Sequence, residues 1–177
     1  MLTAVGPEGC QQLFCDFTCP PNKDVETFLR GKSIRFEQSD NARTYLIIDS
    51  ENGNILAYFS LSFKEISLQH TQIAKNQVKR LDGINKNAEK VRAYLIGQIG
   101  KNFSIQPNQI SLREILEEVY AIIEKAQALI GGRAVILECG KVDKLIELYK
   151  ANGFDVLINT EGEQLVTMYT YISRAGT

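Results

Sequence analysis

The chain has 177 residues and a mass of 19.9 kDa, the size of one domain or of one domain with an appendage. Hydrophobic residues make up 44% and charged residues 23%, which excludes an intrinsically disordered chain. A formal net charge of −1 excludes a global basic field, and no apolar run reaches the roughly 18 residues that span a bilayer. The opening Met1-Leu2-Thr3-Ala4-Val5-Gly6-Pro7 lacks the basic and apolar segments of a secretory signal, so a cytoplasmic protein away from membranes is expected.

Residues 1–23 carry Gly6, Pro7, Gly9, Pro20 and Pro21 with little periodicity and read as an irregular lead-in. Asp24 to Gly31 reads as a short helix, with Asp24 as its cap and Val25, Phe28 and Leu29 on one face. Thr44 to Asp49 and Ile55 to Phe63 read as strands. Asn52-Gly53 between them is the chain's strongest hairpin signal. Residues 73–92 hold the one basic cluster: Lys75, Lys79, Arg80, Lys86, Lys90 and Arg92 against Asp82 and Glu89. It reads either as a solvated connection or as a surface for a polyanion.

Ala93 to Lys101 reads as a strand interrupted by Gly97 and Gly100, which mark a bulge or a close approach. Asn102 to Ile110 is a loop around Pro107. Ser111 and Glu114 then have capping-box spacing, and apolar residues recur from Leu112 to Ile130 with a 3.6-residue period. Gly131-Gly132 ends that helix. Arg133 to Cys139 reads as a buried strand, so a strand, a helix and a strand form one crossover unit. Val142 to Ala151 reads as a helix ended by Asn152-Gly153. Phe154 to Ile158 and Gln164 to Ile172 are the last strands, around the turn 159–163. No repeat and no linker appears, so the expectation is a single α/β (α+β) domain over 1–177.

Two counts bound the chemistry. Cys10, Cys15 and Cys19 lack the CxxC spacing and nearby histidines of a zinc site, so no metal is expected and the cysteines read as reduced thiols. His70 is the single histidine, in the polar stretch Ser67 to Gln72, and reads as a solvated loop residue. Histidine-based nucleophilic catalysis would have to use it.

Several strings sharpen this. Leu148-Tyr149-Lys150-Ala151-Asn152-Gly153-Phe154 resembles the FYxxxGF string that closes many GNAT-superfamily N-acetyltransferases. Tyr94-Leu95-Ile96-Gly97-Gln98-Ile99-Gly100 resembles their central strand. Asp24-Val25-Glu26-Thr27-Phe28-Leu29, Arg43-Thr44-Tyr45-Leu46 and Ala57-Tyr58-Phe59-Ser60-Leu61 resemble the branch that serves as toxins of toxin–antitoxin pairs and modifies aminoacyl-tRNA.

The resemblance implies a GNAT-like fold with two parallel strands that splay apart and acetyl-CoA as co-substrate. Ile99, Gly100 and Lys101 would offer backbone to the pantetheine arm. Ile110, Ser111 and Leu112 would hold the pyrophosphate at a helix N-terminus. Tyr149 would be the general acid that protonates the departing thiolate after direct attack by an amine. From periodicity alone Tyr149 reads first as a core tyrosine, and the family string brings the two readings level. The segment Gln106 to Leu112 departs from the family's Q/R-x-x-G-x-G/A loop: it has no glycine, and Leu112 stands where the last small residue belongs. Glu65 and Glu138 are general-base candidates by position only.

Two functions follow. One is an N-acyltransferase acting on a small-molecule amine, a protein amine or an aminoacyl-tRNA, the last bound through the cluster from Lys75 to Arg92. The other is a catalytically degenerate binding or regulatory module on the same fold. A third reading is an unrelated α/β protein with an accidental LYxxxGF string. Oligomeric state, a homodimer included, stays open.

Overall fold

The computed structural model describes residues 2–69, 71, 73–158 and 164–172. His70 and the turn 159–163 lie outside them. The described strands form a six-stranded mixed sheet of order β1-β2-β3-β4-β6-β5, flanked by helices. The chain divides into two compact units, residues 1–62 with 97–119 and residues 63–96 with 120–177.

The first unit begins with α1 (Leu2–Phe14), so a helix stands where an irregular lead-in was expected. Gly6 kinks it at φ 74°, and Pro7 restarts it, where a missing N–H costs nothing. Cys10 and Phe14, four residues apart on one face, are fully buried. α2 (Lys23–Gly31) buries Val25, Phe28 and Leu29 as expected, but its cap is Asn22, whose side chain accepts from the N–H groups of Asp24 (3.0 Å) and Val25 (3.4 Å). A short α3 (Ser33–Gln38) follows unforeseen. Ser33 Oγ donates to Leu29 O at 2.6 Å, and six residues are too few for a periodic signal.

β1 (Arg43–Ile48) pairs antiparallel with β2 (Ile55–Ser67) from Arg43↔Leu61 to Ile48↔Ile55, and Gly53 takes the turn at φ 75°. Cys10, Phe14, Phe17, Cys19, Val25, Phe28, Leu29, Ile55 and Tyr58 form the core of this unit. The Phe17 and Tyr58 rings meet edge to face at 5.2 Å, and the Tyr58 hydroxyl donates to Val25 O at 2.6 Å.

The second unit contains α4 (Lys75–Asp82), which orders part of the expected basic connection by burying Val78 and Leu81. β3 (Lys90–Lys101) starts three residues earlier than its apolar run suggests. α5 (Leu112–Ile130) leads to β4 (Ala134–Gly140) through Gly131 and Gly132, both at positive φ. α6 (Asp143–Ala151), β5 (Asp155–Ile158) and β6 (Leu165–Tyr171) complete the chain. β6 lies between β4 and β5 and is antiparallel to both. Val91, Ala93, Ala134, Ile136, Leu157 and Tyr169 pack with Val78 and Leu81 in this unit's core. Each large aliphatic side chain so buried contributes about 1.5–3 kcal/mol.

β3 and β4 are parallel, as the crossover requires. Their register runs only from Ala93↔Ala134 to Ile96↔Leu137, although β3 continues to Lys101 and β4 to Gly140. No helix among the described residues is long and apolar enough to cross a membrane.

Candidate functional site

All six residues expected to face the cofactor fall in the first unit, at the end of β3 and the start of α5. Gly100 is required there by its own core. A Cβ on it would lie 2.3 Å from Val25 Cγ1 and 3.5 Å from the Phe17 and Tyr58 rings. Its close approach is to packed side chains.

The loop after β3 is braced by two asparagines. Asn102 is buried: its Oδ1 accepts from Thr18 N (3.0 Å), Ser104 N (3.0 Å) and Ser104 Oγ (2.9 Å), and its Nδ2 donates to Ile55 O (2.8 Å). Asn108 Nδ2 donates to Leu56 O and to Asn102 O, both at 2.8 Å. These side chains fix a glycine-less loop that lacks a backbone ladder. Lys101 Nζ donates to Ile110 O at 2.9 Å, which sets a cation one residue before Ser111.

The capping box at α5 is complete. Glu114 N donates to Ser111 Oγ (3.2 Å), while Glu114 Oε2 accepts from Ser111 N (2.7 Å) and Ser111 Oγ (2.6 Å). The Ser111 hydroxyl and N–H, helped by the Lys101 charge, hold the Glu114 carboxyl below its ordinary range. The helix N-terminus thus already has an anion, supplied by its own first turn. Leu112 beside it is half-buried.

Tyr149 lies in the second unit, on α6, and is 7% exposed. Its ring meets Phe154 edge to face at 5.9 Å, and its carbonyl accepts from Asn152 N (3.0 Å) and Phe154 N (3.1 Å). Gly153 at φ 86° makes that return possible. Burial, with a smaller contribution from the Cys139 thiol, pushes the phenol up to about 12. Among the described residues its hydroxyl has no hydrogen-bond partner. Tyr149 is therefore a core-packed ring, as periodicity suggests.

The two general-base candidates are tied to lysines. Lys90 Nζ lies 2.9 Å from Glu65 Oε1, and Lys64 pairs with Glu138. The Lys90 hydrogen bond holds the Glu65 carboxyl below its ordinary range. Cys10 and Cys19 are buried and Cys15 is exposed. Among the described residues no three metal-ligating side chains gather.

The basic cluster divides in two. Lys75, Lys79 and Lys86 stand exposed on α4 and the loop after it. Arg80, Lys90 and Arg92 open into a cleft of about 1280 Å³ in the second unit, together with Lys64 and Arg133. Phe63, Tyr94, Ile130 and Tyr171 also line it, as do the carboxylates Glu65 and Asp82. Lys64 and Arg133 lie too far from the cluster in sequence for a charge count to join them to it. Pairing on neighbouring strands is what does so.

No family model matches the chain, and no curated protein matches it in sequence. Solved structures do match its fold. A Tyr→Phe variant of KacT superposes with a TM-score of 0.70 at 18% identity, over 89% of this chain and 86% of that one. AtaT complexed with acetyl-methionyl-tRNAfMet gives 0.67 at 17% identity, over 87% and 85%. AtaTR bound with AcCoA gives 0.64 at 17% identity, over 88% and 84%. The six-stranded mixed sheet and its helices have the GNAT-like fold of AtaT and KacT.

Proposed function

We propose that the chain is an acetyl-CoA-dependent N-acetyltransferase that passes the acetyl group to a primary amine by direct attack. The observation that carries this reading is the junction of β3 with α5 in the first unit. There the Lys101 ammonium sits on Ile110 O, next to the N-terminus of a 19-residue helix. A helix start beside a fixed cation favours a phosphate. The shared fold with AtaTR bound with AcCoA supports the same ligand.

On this reading Ile99, Gly100 and Lys101 offer backbone groups to the pantetheine arm, and Ile110, Ser111 and Leu112 take the pyrophosphate. The fit asks one movement of the protein. Glu114 holds both donors of Ser111 and must turn outward, which its exposed position allows. Acetyl-CoA supplies an activated thioester. The amine nitrogen attacks the carbonyl carbon, the C–N bond forms, the C–S bond breaks, and the sulfur leaves with the electron pair. Tyr149, kept protonated by burial, donates its hydroxyl proton to that sulfur. The nitrogen's excess proton goes to solvent; Glu65 and Glu138 are engaged with lysines and are not assigned that role.

AtaT complexed with acetyl-methionyl-tRNAfMet favours an aminoacyl-tRNA as the carrier of the amine. For that acceptor the exposed Lys75, Lys79 and Lys86 are the outer footprint. Binding should weaken steeply with salt, with log K falling by about 0.7–0.9 per phosphate contact for each tenfold rise in salt. A flat salt response would remove the tRNA version and leave a small-molecule or protein amine.

One observation favours a second reading, a binding module that no longer catalyses: the Glu114 carboxylate already occupies the α5 N-terminus, beside a leucine in place of a small residue. Calorimetric titration with acetyl-CoA separates the two. The enzyme reading expects micromolar affinity, and no heat at millimolar cofactor would leave the binding module.

A further inference from the structure

The cleft of the second unit has a composition that acetyl transfer does not explain. Its cations are Lys64, Arg80, Lys90, Arg92 and Arg133. Both lysines are already paired, to Glu138 and Glu65. The Asp82 carboxylate accepts from the N–H groups of Ile84 (3.1 Å) and Asn85 (2.6 Å). Among the described residues the three guanidinium groups have no carboxylate partner. Arg80 instead lies over the Tyr171 ring, 4.6 Å from its centroid, and Arg133 reaches Arg80 O at 3.5 Å. Unpaired guanidinium groups at one concave site are bidentate receptors for carboxylate or phosphate.

The apolar lining decides between those two. Phe63 is 58% exposed and Ile130 65% exposed, so the cleft offers two bare hydrophobic contacts among its cations. Its other rings are engaged. The Tyr94 ring packs on Phe63 with centroids 4.8 Å apart, the Tyr94 hydroxyl donates to Gly131 O, and Tyr171 is covered by Arg80. A nucleic-acid strand is held by successive free ring faces and a continuous basic track. Here Phe63 is the most exposed of the lining rings, and Glu65 and Asp82 interrupt the track. Spaced carboxylates alternating with apolar side chains match this wall better. The volume, about 1280 Å³, exceeds the roughly 300–1,000 Å³ of small-molecule sites and suits several residues of extended chain.

We propose that this cleft is the docking surface for an acidic peptide segment of a partner protein, with its carboxylates on Arg92 and Arg133 and an apolar side chain between Phe63 and Ile130. The inference is independent of acetyl transfer.

The test is selection from a display library of random peptides of about ten residues against the intact protein. Enrichment of sequences that combine Asp or Glu with Leu, Ile or Phe is the expected result. In fluorescence anisotropy the best labelled peptide should bind Arg92→Glu and Arg133→Glu at least about tenfold more weakly, and Phe63→Ser about fivefold more weakly. Lys125→Ala, at an exposed position on α5 outside the cleft lining, should bind it as the parent does. Circular dichroism identifies any variant that fails to fold, and Arg92→Glu, at an exposed strand position, keeps the test valid if Arg133→Glu is lost. Four results would overturn the proposal: no enrichment, an enriched motif without acidic residues, equal binding by Arg92→Glu and the parent, or tighter binding of single-stranded RNA of equal length than of the selected peptide.

Discussion

The first unit carries 7 Lys and Arg against 11 Asp and Glu, and the second carries 13 against 10. A chain of net charge −1 is thus built from one acidic and one basic part. The acidic part holds the place where an anionic cofactor is proposed to sit; the basic part holds the open cleft. In the first unit, the proposed binding chemistry is backbone chemistry: N–H groups, carbonyls, one lysine, and a loop pinned by asparagine side chains. In the second, it is side-chain chemistry: guanidinium groups presented from α4, β3 and the turn before β4. Local geometry outweighs total charge in both. An anion at α5 would feel the helix end and Lys101 within a few ångströms, while the unit's acidic surplus is spread over exposed carboxylates and screened beyond about 8–10 Å.

Four measurements would break or sharpen this contrast. The largest effect is expected at Tyr149. Tyr149→Phe should cut turnover by about a hundredfold and leave acetyl-CoA affinity unchanged, since the ring still packs on Phe154. Because the phenol is pushed up to about 12, it stays protonated through neutral pH; a loss of rate near pH 9 would have to come from another group. Equal turnover in the variant would remove Tyr149 from the mechanism.

Next is Gly100→Ala. Its Cβ would land on Val25, so urea unfolding should report a loss of about 1–3 kcal/mol. A neutral outcome would mean that the first unit yields easily and is a poor rigid holder of backbone groups.

Glu114→Gln comes third. If the carboxylate competes with phosphate, acetyl-CoA affinity in calorimetry should rise about threefold to tenfold. Unchanged affinity would place the phosphates elsewhere. Stability has its own sign: the folded-state value of Glu114 lies below the ordinary 4.5, so its contribution is present above that pH and is lost as pH falls through the lowered value. A Tm series in acid should show that component in the parent and not in the variant.

The smallest effect belongs to Arg80→Ala, which removes the contact with Tyr171 and should cost about 0.5–1 kcal/mol in thermal unfolding. A larger loss would mean that the cleft's arginines are structural as well as displayed.

Much of the fold could be read beforehand where a signal repeats over many residues. The α5 period, its capping box, its double-glycine end and the Asn52-Gly53 hairpin all stand where expected. Segments whose order depends on tertiary partners were not legible. α1 was hidden by Gly6 and Pro7, which normally break helices and here place a kink between two helical pieces. α4 was hidden by its charges; two buried residues, Val78 and Leu81, are all that anchor it. Asn22 displaced Asp24 as a cap because Ncap geometry depends on local φ and ψ, which composition does not report. The same limit holds at the candidate site. Glycine at position 100 could be read as a close approach, but only the packed structure identifies Val25 as what approaches. The pairing of Glu65 with Lys90 and of Glu138 with Lys64 likewise depends on contacts between strands.

Asn102 has a consequence for the order in which the chain assembles. One buried side chain joins Thr18 and Ile55, from two distant stretches of sequence, to Ser104 in its own loop. Its contacts cannot form singly at much gain, because each alone leaves the amide desolvated and partly unpaired. We expect them to form after the hairpin and α2 are in place and so to contribute little to the folding transition state, which φ-value measurement at Asn102 would check. A lesion at Asn102 would leave the folding rate nearly as it is and act on the unfolding rate, shortening the lifetime of the assembled state. On that expectation the residue that holds the loop before α5 would be, in kinetic terms, the latch that keeps the first unit closed once it has formed.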